Sequence, residues 1–379
     1  MHPVSKDTGC LYIYRIHYNK TMNLAGRISA FAKLGESISK VLTAKENDEL
    51  WSSPASMKLH SLIHDIHYSN PWFIEEYVRL ALQAITEWLN AENLSNWTLS
   101  YPALFTEQKF EGKIAIISAG NLPLVGFHDF LCVLMAGYTY LGKLSSKDNQ
   151  LPKAIADILI EIEPGFANEI EFTEDQLGSF NAVIATGSNN SSRYFEYYFG
   201  KYPHIIRKNR TSVAVLDGTE TAEELIGLAD DIFLYFGLGC RNISKLYVPA
   251  GYSFNRFFEA AEKYNWLIAH NKYMNNYDYS RVIFLVNVAH HLDNNFLLLK
   301  QDKSTASPIA VLYFEEYLNI PELLDEFHSK ETDLQCIVSH EIPGLRTLPF
   351  GTAQFPGLMD YADNIDTMQF LIGLNKDRK

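Results

Sequence analysis

The chain has 379 residues, 47% hydrophobic and 20% charged, with 45 acidic and 32 basic side chains and a formal net charge of −13. That length allows two domains of ordinary size around a large core, and the composition excludes a disordered chain. The acidic balance excludes a general nucleic-acid or anionic-membrane footprint, while leaving room for a local basic patch on a phosphorylated ligand.

Residues 1–21 scatter Lys6, Asp7, Arg15 and Lys20 and lack the continuous apolar centre of a signal peptide. Amphipathic patterning begins at Met22, so these residues are expected to be a disordered or non-native leader. Residues 22–95 read as helices: Leu24, Ile28, Phe31, Leu34 and Ile38 recur at helical spacing. Trp72, Val78, Leu82, Ile85 and Leu89 do so again after Asn70-Pro71. The polar-aromatic stretch 96–112 leans towards β structure and is expected to be a hairpin.

From residue 113 strands and helices alternate. Lys113-Ile114-Ala115-Ile116-Ile117-Ser118 is a strand with the turn Ala119-Gly120-Asn121-Leu122-Pro123 and a long apolar helix after it. Residues 138–143 form a second strand, 151–162 a helix, 181–186 a third strand ending in Gly187-Ser188, and 211–216 a fourth. A second alternation runs through 281–286, 309–314 and 335–339. Strands closing in small polar turns between helices predict parallel doubly wound sheets, with ligands at the carboxyl ends of the strands. The expected division is one α/β lobe at 113–230, a second at 231–350 and a return segment at 351–379.

The longest apolar run, 122–141, is broken by His128 and Asp129 and reads as a buried helix, so no membrane span is expected. The four cysteines, at 10, 132, 240 and 336, follow no disulfide spacing, which fits a reducing cytoplasm.

Cys240 has the strongest chemical context. It lies in Phe236-Gly237-Leu238-Gly239-Cys240-Arg241, ahead of a strand. Glycines permit close approach and a neighbouring cation favours thiolate, which suits a nucleophile; a buried cysteine at a strand edge fits the same residues. Asn121 follows a strand directly and is either an oxyanion donor or a turn-stabilising amide. Lys143 at a strand end can hold a ribose or phosphate, or be solvated. Gly187-Ser188 at a helix start can cradle an anion. Arg207-Lys208-Asn209-Arg210 is a solvated loop or a site for a phosphorylated ligand. His128 reads as a hydrogen-bonded core histidine. His60, His64 and His67 share a helix face, and His290-His291 lies near Asp293, but neither set matches a zinc motif, so no metal site is expected.

Taken in order, these motifs resemble the aldehyde dehydrogenase superfamily, and within it the acyl-CoA reductase (LuxC-type) branch, from about residue 22 onwards. Gly120-Asn121-Leu122-Pro123-Leu124 is similar to the oxyanion turn, and Leu141-Gly142-Lys143 to the ribose-binding strand end. Ala185-Thr186-Gly187-Ser188 is similar to the pyrophosphate turn, Gly237-Leu238-Gly239-Cys240 to the nucleophile loop, and Pro349-Phe350-Gly351 to the segment that returns to the oligomer interface. Two departures stand out. Residues 205–211 carry no carboxylate where the family has a water-activating glutamate. Ser304-Thr305-Ala306-Ser307-Pro308 keeps the proline of the nicotinamide-ribose element without its glutamate.

The resemblance implies an aldehyde-dehydrogenase-like α/β fold of two doubly wound lobes with a small oligomerisation element, and reduction of a fatty acyl-CoA to aldehyde. Cys240 would carry the acyl group, Asn121 and the Cys240 N–H would hold the oxyanion, and Lys143, Gly187 and Ser188 would contact NADPH, with NADH open. It further implies a homo-oligomer, dimer or tetramer, and a partner enzyme for acyl activation or transfer. A Cys240-dependent acyl transferase or thioesterase, and a non-catalytic acyl-CoA-binding scaffold, are the alternatives.

Overall fold

The computed structural model describes residues 22–44, 53–106 and 111–374; the leader 1–21 lies outside them. Four helices open the chain: α1 (Leu24–Thr43), α2 (Pro54–Asp65), α3 (Glu75–Trp88) and α4 (Ala91–Leu99). Their starts follow local chemistry. Asn23, Ser53 and Asn90 each accept a backbone N–H of the first turn, and Pro54 opens α2 where no donor is needed.

The hairpin expected at 96–112 is not formed in its described part. Residues 96–99 complete α4 and Pro102–Phe105 make a 3-10 turn; 107–110 lie outside the described residues. Leu94, Trp97 and Thr98 are buried at helical spacing, and Trp97 Nε1 donates to Tyr361 Oη at 2.8 Å. Tertiary burial of these side chains overrides the β-leaning composition.

The first sheet is parallel throughout, in the order β3-β2-β1-β4-β5. It comprises β1 (Lys113–Ile117), β2 (Thr139–Lys143), β3 (Ile170–Thr173), β4 (Ala182–Thr186) and β5 (His204–Arg207). The helices α5 (Phe127–Met135), α6 (Leu151–Ile162) and α7 (Asn189–Phe199) connect them. Chain direction across the sheet reverses at β1, flanked by β2 and β4, and a ligand crevice is expected outside the carboxyl ends there.

The second sheet runs β11-β6-β7-β10-β9-β8. Its strands are β6 (Thr211–Val215), β7 (Ile243–Pro249), β8 (Leu292–Asp293), β9 (Leu298–Gln301), β10 (Val311–Tyr317) and β11 (Leu334–Val338). With them go α8 (Ala222–Phe233), α9 (Asn255–Ala261), α10 (Asn271–Val286), α11 (Ile320–Ser329) and α12 (Thr367–Gly373).

Two boundaries are corrected. Residues 211–215 pair with β7 and β11, so the chain leaves the first sheet at 208–210, not at 230. The basic run hid β5, which occupies the place beside β4. Residues 281–286 are the end of α10. His270 caps it by accepting the Tyr273 N–H, and Tyr273, Tyr277, Ser280 and Phe284 form its buried stripe. Val282, Leu285 and Val286 lie on its exposed side.

After β11 the chain turns back. Leu358, Tyr361, Met368, Leu371 and Ile372 join the core of the first lobe, and Tyr138 Oη donates to the Leu371 carbonyl at 3.1 Å. Among the described residues no helix is long and apolar enough to cross a membrane.

Candidate active site

The Cys240 loop is a strained connection between α8 and β7. A capping box between Thr221 and Glu224 starts α8. Beyond it, Tyr235, Phe236 and Gly237 take left-handed φ values of 55°, 59° and 73° in succession. Such a conformation costs on the order of 1–3 kcal/mol at each non-glycine residue and persists only where packing enforces it. Here Phe236 is wedged between Trp72, Tyr77 and His270, with ring centroids at 5.0, 5.0 and 4.3 Å.

Hydrogen bonds fix the rest of the loop. Asn242 is buried; its Oδ1 accepts the Gly239 N–H at 2.8 Å, and its Nδ2 donates to the carbonyls of Leu234 (2.8 Å), Asp231 (3.1 Å) and Ile232 (3.3 Å). Ser212 Oγ donates to the Cys240 carbonyl at 2.8 Å and lies 3.1 Å from Cys336 Sγ. A Cβ on Gly239 would lie 2.9 Å from Asn242 Oδ1 and 3.2 Å from Leu122 Cδ1, so only glycine fits.

That last contact crosses the cleft. Asn121, on the turn after β1, donates through Nδ2 to the Leu238 carbonyl at 2.8 Å. The fold therefore joins Asn121 and the Cys240 loop, which lie far apart in sequence. One amide hydrogen of Asn121 is committed to Leu238 and the second is left over. Its Oδ1 is buried without a partner.

Cys240 is exposed to solvent, although the protein packs closely around its thiol. Burial is the largest influence on its thiol and lifts it above the ordinary cysteine value. Arg241 opposes this, as do the residue's own backbone N–H and, more weakly, Arg207, while Asp363 adds to the rise. The adjacent cation acts in the sense favourable to thiolate, but desolvation outweighs it. Its neighbour Arg241 lines a cavity of about 370 Å³ together with Glu331, Cys336, Arg346, Leu348 and Asp360.

Carboxylates reach this neighbourhood from outside 205–211. Arg207, at the end of β5, holds Asp129 of α5 bidentately at 2.6 and 2.9 Å and donates to Thr367 Oγ1 at 2.8 Å. Asp363, in the return segment, lies 3.5 Å from Arg210 Nε. Both acids are thus held by arginine. Ser304–Pro308 also arrives here, since Ser244 Oγ donates to the Thr305 carbonyl at 2.6 Å.

Lys143 and Gly187-Ser188 end strands β2 and β4 on either side of β1, at the carboxyl edge of the first sheet. Lys143 Nζ donates to the Asp175 carbonyl at 2.9 Å. Ser188 caps α7 by accepting the Ser191 N–H at 3.1 Å. A Cβ on Gly187 would lie 2.8 Å from Phe195 Cε2 and 2.9 Å from Ser191 Cβ, so glycine lets α7 pack tightly onto its strand. The N–H groups of Asn189 and Asn190 precede the helical ladder and are free to meet an anion. These residues fit the pyrophosphate and ribose of a dinucleotide.

The remaining candidates are structural. His128 contacts the Leu358 carbonyl through Nε2 at 2.9 Å and is enclosed by Trp88, Trp97 and Tyr361. His64 Nδ1 pairs with Glu75 at 2.8 Å, and His291 Nδ1 with the Ala289 carbonyl at 2.8 Å. Among the described residues no cluster of three or more His, Cys, Asp or Glu is arranged to hold a metal. Sequence reasoning gave no role to Asn242, Ser212, Asp363 or Asp148. The one available signal was a polar side chain at the start of an apolar strand, as at Ser212 and Asn242.

No family model matches the sequence, and neither does any curated protein. Solved structures do resemble it. Lactaldehyde dehydrogenase from Escherichia coli superposes with a TM-score of 0.56 at 13% identity, over 87% of this chain and 76% of that one. Aldehyde dehydrogenase 21 from Physcomitrella patens gives 0.55 at 12%, over 93% and 88%. The putative aldehyde dehydrogenase PutA from Anabaena variabilis gives 0.55 at 13%, over 84% and 75%. With its two parallel-sheet lobes and the returning C-terminal segment, the chain has the aldehyde dehydrogenase fold.

Proposed function

We propose that this protein is an acyl-CoA reductase, taking a fatty acyl thioester to the aldehyde with NADPH through an acyl group carried on Cys240. The observation that carries the reading is the meeting of Asn121 with the Cys240 loop across the cleft, among carboxylates already held by Arg207 and Arg210. The Cys240 thiolate attacks the thioester carbonyl, forming a C–S bond and moving the π electrons onto oxygen. The second amide hydrogen of Asn121 and the Cys240 N–H hold that oxyanion. Its collapse breaks the bond to CoA, which leaves as thiolate. Lys143, Gly187 and Ser188 would hold the reduced nicotinamide cofactor, whose chemistry there would be hydride supply to the acyl carbon. Cys240 would be regenerated as thiolate when the reduced acyl group leaves as aldehyde. With Asp129 and Asp363 held by arginine, neither is free to activate water, which favours reduction of the acyl group over its hydrolysis. NADH as alternative cofactor, a homo-oligomeric state and an acyl-supplying partner enzyme belong to the same proposal.

A second reading draws on the desolvation that lifts the Cys240 thiol above its ordinary value and disfavours thiolate: a scaffold that binds acyl-CoA without turnover. NADPH oxidation by the purified protein with acyl-CoAs of increasing chain length separates the two. Oxidation with aldehyde as product supports the reductase. Acylation of Cys240 and CoA release without oxidation means a transferase or thioesterase, and silence in both assays leaves the scaffold.

A further inference from the structure

We infer that Asp148 is a positioning residue, clamping the loop after Lys143 onto the turn that carries Asn121 and so coupling the cofactor side of the site to the oxyanion side. The inference deepens the reductase reading and rests on it for its catalytic arm.

Asp148 lies between β2 and α6 and is only 4% exposed. One carboxylate oxygen accepts the Leu124 N–H at 2.7 Å. The other, Oδ1, is buried with no partner. Beside it a cavity of about 20 Å³, lined by Ser118, Leu124, Tyr140 and Leu144 among others, has room for a single water molecule and for nothing larger. A lone buried carboxyl is costly. Among the described residues no cation pairs with it, so its use lies in the backbone group it holds.

That group is unusual. Leu124 is left-handed, with φ 57°, and a branched side chain adopts this only under constraint. The Asp148 bond is the constraint, and it acts three residues from Asn121. The two loops also interlock. A Cβ on Gly120 would lie 2.4 Å from Ser145 Oγ, and the Ser118 N–H donates to the Lys143 carbonyl at 3.4 Å. At its far end the turn meets the nucleophile loop through Asn121 Nδ2 and the Leu238 carbonyl. Asn121 is thus suspended between Asp148 on one lobe and the Cys240 loop on the other. Freed at Leu124, the turn relaxes towards right-handed backbone and carries the amide away from the oxyanion position.

The test compares Asp148→Ala with Asp148→Asn, which keeps an oxygen acceptor for Leu124. Turnover with acyl-CoA and NADPH, NADPH binding by fluorescence quenching, and amide exchange of residues 118–127 are read on each. The Ala variant is expected to lose roughly 10- to 100-fold in kcat, the scale of an ångström-sized misplacement, with both KM values within about twofold. Exchange in 118–127 should accelerate, and Asn should restore most of kcat and the slow exchange. Unchanged kcat in the Ala variant, or an equal loss in Ala and Asn, overturns the inference. If the Ala variant does not fold, Asp148→Ser, whose hydroxyl is too short to reach Leu124, takes its place with the same expectations. If even the wild type oxidises no NADPH, the reductase reading fails while exchange still decides the clamp: acceleration confined to 118–127 upholds it and unchanged exchange overturns it.

Discussion

Asn242 and Gly239 are joined by a 2.8 Å hydrogen bond in which the buried amide oxygen takes the glycine N–H, while the same side chain's nitrogen reaches three carbonyls at the end of α8. One side chain thus replaces the backbone partners that the left-handed run at 235–237 denies this loop. Asn242→Ala leaves these groups buried and unpaired and is expected to cost about 1–3 kcal/mol, measured by urea unfolding. Asn242→Asp keeps the acceptor but turns a carboxylate towards three carbonyls, and should destabilise at least as much. A stability within about 0.5 kcal/mol of wild type for both would show that water replaces the amide.

The chemistry of Cys240 follows from desolvation outweighing Arg241. Alkylation by iodoacetamide, followed by mass spectrometry, should rise with pH to a midpoint above the ~8.5 of an ordinary cysteine. Arg241→Ala removes a favourable charge and should move the midpoint higher still. A midpoint near neutrality would mean that the arginine wins. Cys240→Ala should abolish turnover while leaving NADPH binding intact.

Asn121→Ala removes the side-chain oxyanion donor of the proposed mechanism and should lower kcat by roughly 10²–10³-fold with little change in KM. Steady-state kinetics on acyl-CoA checks this. An equal loss in kcat/KM through KM alone would assign Asn121 to ground-state binding.

Asp231 gives stability a pH dependence of definite sign. Burial is the main cause that raises its carboxyl to about 7, against the N–H groups of Gly351 (2.7 Å) and Ala353 (2.9 Å) that it accepts. Asp148, also raised to about 7 by burial, acts in the same sense. A carboxyl raised on folding contributes stability that is fully present below its unfolded value near ~4 and is lost as pH rises through its folded value. Thermal unfolding should therefore show stability falling between about pH 4 and 7, with Asp231→Asn flattening the fall. A rise over that range would overturn the assignment.

The Arg207–Asp129 pair is buried on both sides. Removing one partner, as in Asp129→Leu, should cost about 3–5 kcal/mol by leaving an uncompensated charge. The double variant Asp129→Leu/Arg207→Met should recover most of that loss in urea unfolding. An equal loss in both would place the cost in packing rather than charge.

The strands of the first sheet were legible where apolar runs ended in small polar turns, as at 113–117 and 182–186, and those turns held the candidate site. Less visible was whatever depended on long-range pairing. His204–Arg207 is a strand because Val183 to Thr186 lie beside it, which its basic neighbours conceal. The run at 281–286 has β-branched composition, but its place as the last turns of α10 is fixed by Tyr273, Tyr277 and Phe284 upstream. Asn121 and Cys240 were readable as residue types at strand ends. Asn242, Ser212 and Asp148 work through backbone groups brought near them by folding; a polar residue at the start of an apolar strand hints at the first two, and nothing local marks Asp148.

The return of α12 to the first lobe sets the order of events during synthesis. The sheet of that lobe is complete at residue 207, yet its hydrophobic face stays open until Met368, Leu371 and Ile372 are made. By then every strand of the second sheet has been synthesised. The lobe of the first sheet therefore completes its core only with residues made after the second sheet, which ties the closing of one lobe to the synthesis of the other.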